Sequence, residues 1–550
     1  MSKADEIYNE VTKKIIEDGY SDENTNVRTV YADGTPAYTR SIFGIQVEFD
    51  GKEVPILTSK KVYSQTAIKE MLLFWVRQSV KEKDFKEWNV KVWDEWFLSD
   101  GTLGRSYAYQ FESRPKKEIV KVKKLRKGIH GDLPLINVGE KVLPNTNNES
   151  KYVGSTYSTK DYGDYIVLDV YYKNPTDSTR KALVQFVQTN YIKEIDITQV
   201  IKSQNVTDPY YRYYFDVGYL GNYKSVKNYT EEELGKLYRK WYYMLKRCYD
   251  KNDRQYHMYG EKGVFVDERW HCFENYLRDV RYIPQFFLAK EDNFKGWSID
   301  KDYYDANFYG KESACWLKDG ENLIIRNTNQ QPFYLIKPNG GKELYLTLAD
   351  AEKDYSLTNL NKVYNGVRKH VRNFTIEPIE YDHNCDFLYR YKLSKNQVVE
   401  LLQSIKNTPS SRRHMTSFWN FKDVEDKALQ ECAFQTQWNT YNKTLDLLLT
   451  QRSADWGLGA PFNQFQYYVL QNMIANVLNL KVGKFIHHIG SCHIYDRHEK
   501  ELKEQMNKDT YDAPTLWVNP EVKDFFDYTP DDIKLINYKC NNPIRMEVAI

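Results

Sequence analysis

The sequence predicts a mixed α/β (α+β) protein split by an inserted α+β domain. Three observations carry that reading. The chain has 550 residues, too many for one ordinary hydrophobic core. Its two ends share one texture, in which helix-period apolar stretches alternate with short branched and aromatic runs. The stretch between them differs: it is rich in lysine and tyrosine, poor in alanine and crossed by turn-rich segments. No internal repeat and no low-complexity linker marks the joins, which fall at 1–113, 114–386 and 387–550.

The elements follow in order. "MSKADEIYNEVTKKIIEDGY" is a charged amphipathic helix without the apolar centre of a signal peptide, so a cytoplasmic protein is expected. "AIKEMLLFWVRQSV" (67–80) has apolar residues at helical spacing, and "VKVWDEWFLSDGTLGRSYAYQF" (90–111) turns at Gly101 and Gly104. In the middle, "YIVLDVYY" and "KALVQFVQ" read as strands. "EEELGKLYRKWYYMLKRCYD" (231–250) reads as a helix with Leu234, Leu237, Trp241, Met244, Leu245 and Cys248 along one face. Residues 343–373 read as two short helices joined by a turn. From Lys392 the first texture returns: a helix, a turn at Asn407–Pro409, a strand, then a long buried helix over 460–480.

Composition narrows the function. Hydrophobic residues make up 41% and charged residues 28%, as in soluble globular proteins. No apolar run is long enough to cross a bilayer, so no membrane is expected. A formal net charge of +2 makes no case for nucleic acid by charge alone. The seven cysteines are scattered without a Cys-x-x-Cys pair, which argues against a disulfide framework or a structural zinc site. No metal is expected.

Each cysteine is then either packing or chemistry. Cys432 sits in "ALQECAFQTQW", an apolar, strand-like run that by itself suggests buried packing, since a thiolate forms poorly in an apolar pocket. "RSADWGLGAPFNQFQY" (452–467) holds Arg452, Ser453, Asp455 and Asn463. Arginine beside a hydroxyl suits phosphate oxygens. Asparagine presents a donor and an acceptor together, as a nucleobase edge requires. Arg28, Arg412 and Arg413 add cations, and "SCHIYDRH" (491–498) offers His493 and Tyr495 to a sugar hydroxyl. Taken singly, these are ordinary surface arginines and a packed histidine.

The pattern as a whole resembles thymidylate synthase. The likeness runs through "VRTVYADGTPAYTRSIFG", "VPILTSKKV", "AIKEMLLFW", "VKVWDEW", "DGTLGRSYAYQF", "SSRRHMTSFWN", "ECAFQTQW", "QRSADWGLGAPFNQFQYYVLQNMIA", "GSCHIYDRH" and "PTLWVNPEVKDFFDYTPDDIKLINY", in the family's order. It covers 1–111 and 395–550. The resemblance implies a fold of stacked mixed β-sheets with surrounding helices, and a site for dUMP and 5,10-methylenetetrahydrofolate. It makes Cys432 the nucleophile at uracil C6. Glu70 becomes the carboxylate that organises water for proton transfer, and Tyr107 helps to remove the C5 proton. Asn463 reads uracil O4 and N3. Arg28, Gln451, Arg452 and Ser453 bind dUMP, Asp455 supports the pterin, and His493 and Tyr495 hold the deoxyribose. Arg412 and Arg413 reach the site of a second subunit, which implies a homodimer. Trp93, Trp96, Leu429 and Phe462 line the folate site, and Ile550 closes it.

Two departures stand out. Glu431-Cys432-Ala433 replaces the family's frequent Pro-Cys-His, as in a bacterial and phage branch that lacks this histidine. Ala108 stands where glycine is usual, a tolerable change unless the position needs positive φ. Asparagine at 463 favours uracil, since related dCMP hydroxymethylases usually carry aspartate. A dUMP hydroxymethylase would share Asn463 and is the alternative.

The insertion resembles phage HNH-like homing endonucleases, through "YRKWYYMLKRCYD", "MYGEKGVFVDERWHCFENYLRDV" and "WSIDKDYYDANFYGKESACWLKDGENLIIRNT". Residues 343–373 resemble the helix-turn-helix repeat attached to such proteins. Asp300 stands where a catalytic histidine would help, with His257 and His271 as spare candidates, so a DNA-binding or degenerate domain is expected. "DHNCD" (382–386) carries the His-Asn-Cys order of an intein's C-terminal junction, which makes splicing a third reading.

Overall fold

The structure is a computed structural model and describes residues 2–113, 117–125, 127–202, 206–326, 331–379 and 385–549. The chain divides into two compact units, Met1–Arg114 with Lys395–Ile550, and Pro115–Ser394. The return to the outer unit thus falls at Lys395 and not at 387. Strand Phe387–Tyr391 pairs antiparallel with Ile119–Lys123, inside the inserted unit.

The outer unit is built on a six-stranded sheet. The elements that frame the site are α1 (Lys3–Asp18), β1 (Tyr20–Ser21), β2 (Thr39–Phe49), α2 (Ser64–Leu72), α3 (Gln397–Asn407), β3 (Met415–Ser417), β4 (Ala433–Tyr441), β5 (Thr444–Asp455), α4 (Gly459–Val477) and β6 (Lys481–Tyr495). The strand order is β1-β2-β6-β5-β4-β3. Only β5 and β6 run parallel, and α4 makes the crossover that a parallel pair requires. In β5, Leu445, Leu447 and Leu449 alternate into the core, the period-2 pattern of a strand. Helix α4 is buried almost all round, so it is not amphipathic: its apolar residues are interspersed with buried amides such as Gln464, Gln466 and Gln471.

Helix α2 does not continue to residue 80. It passes into a π-helical turn at Leu73–Arg77, closed by Gln78 at φ 51°. Such wide turns are common at functional sites, and this one delivers Phe74 and Trp75 to the pocket described below. The break in the outer unit is closed by its own bonds. Ser113 N donates to Lys395 O at 3.0 Å, and Lys395 N to Ser113 Oγ at 2.8 Å.

The inserted unit has a four-stranded antiparallel sheet spanning Thr156–Asp196. It also has the expected helix, Glu231–Tyr249, which starts at a Thr230/Glu233 capping box. Trp241, Trp270 and Trp316 centre its main core. Residues 343–373 are not a free helix pair. Helices Leu348–Asp354 and Leu360–Tyr364 pack on a three-stranded sheet of Phe333–Ile336, Lys342–Tyr345 and Thr375–Pro378. Branched and aromatic residues flank the helices, and long-range strand pairing decides what the local pattern could not.

Candidate active site

The chemistry-bearing residues of the outer unit meet where β4 begins. Cys432 is half-buried and is the last residue before β4, not part of it. A bulge between Ala433 and Gln435 follows at once, and bulges re-aim side chains. Arg452 N donates to Cys432 O at 2.8 Å. One pocket is lined by Cys432, Glu70, Tyr107 and Asn463, with Trp93 and Gln466 beside them. Phe74, Trp75 and Phe418 complete an aromatic wall.

Glu70 lies buried on α2. Its Oε1 accepts from Trp93 Nε1 at 2.6 Å and its Oε2 from Gln466 Nε2 at 2.6 Å. Burial pushes its pKa up to about 7, against the pull of those two donors. The group therefore changes protonation near neutrality, as a proton-transfer residue should.

Tyr107 has φ 43°, a rare conformation for a bulky residue. Its ring stacks on Phe74 at 5.0 Å and meets Trp93 edge-on at 5.4 Å. Its backbone N–H donates to Glu431 Oε1 at 2.8 Å. Glu431 Oε2 in turn pairs with Lys427 Nζ at 2.6 Å, with both side chains essentially without solvent contact. Glu431 therefore holds the strained tyrosine in place. Ala108, next along, is buried and is not among the positive-φ residues, which is why alanine fits there.

Burial raises the Cys432 thiol, Arg452 pulls it down and Glu431 pushes it up again. The net direction is upward, so in this structure the arginines do not by themselves produce a thiolate. Arg452 is exposed and spends its guanidinium on backbone, Nε to Glu431 O at 3.0 Å and Nη2 to Gln430 O at 2.9 Å. It thereby fixes the segment that carries the thiol.

The remaining expectations divide. Asp455 ends β5, and its Oδ1 accepts from Gly457 N at 2.9 Å, shaping the turn into α4. His493 and Tyr495 share β6 and stand edge to face at 5.3 Å, with the imidazole held neutral by burial against the pull of Asp455. The charge of exposed Arg28 is felt at Tyr495. Ser453 lies opposite Ser491. Gln451, expected at the nucleotide, is 2% exposed with its carboxamide engaged by Ser453, Asn463 and His487. Its carboxamide thus bonds directly to that of Asn463. Trp96, Leu429 and Phe462 are half-buried but do not line the pocket. Arg412 and Arg413 are exposed on the α3–β3 turn and do not reach it either. Ile550 lies outside the described residues.

Sequence reasoning missed Gln466, Phe418 and the Lys427–Glu431 pair. Gln466 was findable, because it lies three residues past Asn463 on α4 and so on the same face. Phe418 was not, because it follows β3 and reaches the pocket only through the tertiary fold.

In the inserted unit, His271 is buried against the Tyr249 hydroxyl at 3.1 Å, His257 is exposed, and Asp300 Oδ1 accepts from Tyr303 N at 2.8 Å. Among the described residues no group of three or more His, Cys, Asp and Glu could hold a metal ion, and no helix is long and apolar enough to cross a membrane. Of the junction-like "DHNCD", His383 and Asn384 fall outside the described residues.

A thiol, a carboxylate tuned near neutrality and an amide in one aromatic pocket define a class: an α/β protein with a cysteine-centred, aromatic-lined site. The thymidylate synthase family model matches residues 6–133 and 290–550, and the chain belongs to that family. The match reaches past both ends of the outer unit's break. Relatives include thymidylate synthase 1 of Bacillus subtilis (strain 168), 50% identical over 155 residues, 28% of this chain and 56% of that protein. The thymidylate synthase of Bacillus phage phi3T matches to the same extent. That of Bacillus licheniformis is 46% identical over 172 residues, 30% of this chain and 62% of that protein. The chain thus spans little more than half the length of the first of these. A solved structure, the thermostable thymidylate synthase A from Bacillus subtilis, aligns at 24% identity over 100% of this chain and 99% of that chain, with a TM-score of 0.47.

Proposed function

We propose that the chain is a thymidylate synthase, a methyltransferase that converts dUMP to dTMP with 5,10-methylenetetrahydrofolate and yields dihydrofolate. The observation that carries this is the convergence of Cys432, Glu70, Tyr107 and Asn463 on one pocket. Uracil C5 is a poor nucleophile. Addition of the Cys432 thiolate at C6 makes an enolate, which activates C5. Asn463 donates to O4, where negative charge develops. Tyr107 and Glu70 line the path for the C5 proton, and Glu70 has the right affinity to relay it. The aromatic lining around Trp93 suits a planar heterocycle. When bound, the folate supplies the one-carbon unit and the hydride.

Bound nucleotide also matters for the thiol. A phosphate gathered by Arg28 and Arg452 would turn the arginine away from the backbone carbonyls and keep its charge near Cys432. Arg412 and Arg413, exposed and remote from the pocket, suit a role at a second subunit's site in a homodimer. DNA contact by the inserted unit rests on sequence resemblance, and a gel shift tests it.

The test is turnover by the full untagged chain with dUMP and methylenetetrahydrofolate. Dihydrofolate is read by absorbance and the nucleotide by mass. dTMP and dihydrofolate in equal amounts are expected. Hydroxymethyl-dUMP without dihydrofolate would refute the reading in favour of a hydroxymethylase.

A further inference from the structure

Asn463 is one link in a longer buried chain. His487 Nε2 lies 2.9 Å from Gln451 Oε1. Gln451 Nε2 donates to Ser453 O at 2.9 Å and to Asn463 Oδ1 at 3.2 Å. Asn463 Nδ2 donates to Gln466 Oε1 at 3.2 Å. Gln466 Nε2 donates to Ala67 O at 3.2 Å and to Glu70 Oε2 at 2.6 Å.

The direction of this chain is fixed. A backbone carbonyl only accepts, so Ser453 O and Ala67 O each require the NH2 side of the glutamine that faces them. Gln451 Oε1 then needs a donor, and His487 Nε2 is the atom in place. His487 is accordingly the neutral Nε2–H tautomer, with Nδ1 taking Gln464 Nε2 at 3.4 Å. His487 is 0% exposed and Gln451 2%, so a missing partner there leaves a polar atom buried and unpaired. Burial pushes the imidazole pKa down to about 3, which keeps this tautomer neutral.

We infer that His487 is a specificity-determining positioning residue: acting through Gln451, it holds the Asn463 amide in the orientation that reads uracil and rejects cytosine. The inference rests on the pyrimidine-nucleotide reading above. With Oδ1 bound by Gln451 and Nδ2 by Gln466, Asn463 keeps one lone pair and one N–H for a ligand. Uracil presents an acceptor at O4 and a donor at N3. Cytosine presents the reverse, a donor at N4 and an acceptor at N3. An amide free to turn over would accept both.

The test is equilibrium binding of dUMP and dCMP to the full chain, to His487→Phe and to His487→Gln. The wild type prefers dUMP. His487→Phe is expected to lose about tenfold of that preference, the value of one buried hydrogen bond. His487→Gln, whose amide N–H can replace Nε2–H, regains it. A long-range 1H–15N spectrum of histidine-labelled protein should show an Nε2–H imidazole that is missing from His487→Phe. An unchanged preference in a folded His487→Phe, or an Nδ1–H tautomer, overturns the inference. Should His487→Phe not fold, His487→Gln decides: preference kept supports the relay, preference lost overturns it. A wild type that binds neither nucleotide refutes the pyrimidine reading instead, and the tautomer then decides the relay alone.

Discussion

Replacing Glu70 by glutamine should change how stability depends on pH. Folding raises this carboxyl from 4.5 to about 7, chiefly by burial, so the folded chain binds the proton more tightly than the unfolded one. The stabilisation linked to that proton is complete below the unfolded value, near pH 4.5. It is lost as pH rises through 7, and the full loss is about 3 kcal/mol. Glutamine does not titrate. The difference in unfolding free energy between Glu70→Gln and the wild type should therefore move in favour of the variant by about 2–3 kcal/mol between pH 5 and 8.5. The variant starts from a deficit, because its NH2 faces either the Trp93 or the Gln466 donor. Urea unfolding of both proteins across that range, followed by tryptophan fluorescence, measures it. In kcat/KM the wild type should show a limb near pH 7 that the variant lacks. A stability difference that is flat with pH would refute the argument, because it would mean the carboxyl is not desolvated.

Three further outcomes are expected. Cys432→Ser should keep its fold and lose turnover to background, since an alcohol there has no base to activate it; measurable dTMP formation would contradict the nucleophile. Lys427→Met strands a fully buried carboxylate and should cost about 3–5 kcal/mol, whereas Lys427→Met with Glu431→Gln, which keeps an acceptor for Tyr107 N, should recover most of it; equal urea midpoints for the single and double variants would refute this. Joining Ser113 to Lys395 through a short linker should leave a folded outer unit, because the two residues are already hydrogen-bonded at 3.0 and 2.8 Å and closing a short loop costs little; an unfolded circular dichroism spectrum would contradict it.

Local patterns made much of the frame legible. The mostly apolar run of α4, the alternating leucines of β5 and the capped helix at Glu231 are each legible in the local pattern. Residues 343–373 show the limit, since the strands that hold the two helices lie on either side of them. The same holds in the site. Cys432 and Asn463 stand in quotable motifs, yet a motif cannot show that the Gln451 carboxamide lies between Asn463 and His487.

The sequence by itself determined the kind of protein this is: where its most regular helices and strands lie, that the chain is interrupted, and which residue types carry the chemistry. Those follow from short-range periodicity and from motif order along the chain. Only the tertiary structure decided the rest. It put Glu431 and Lys427 in a dry ion pair under Tyr107, raised Glu70 toward neutrality, and aligned three amides between His487 and Glu70. Burial and hydrogen-bond direction are properties of neighbours brought together from distant segments, and no single segment contains them.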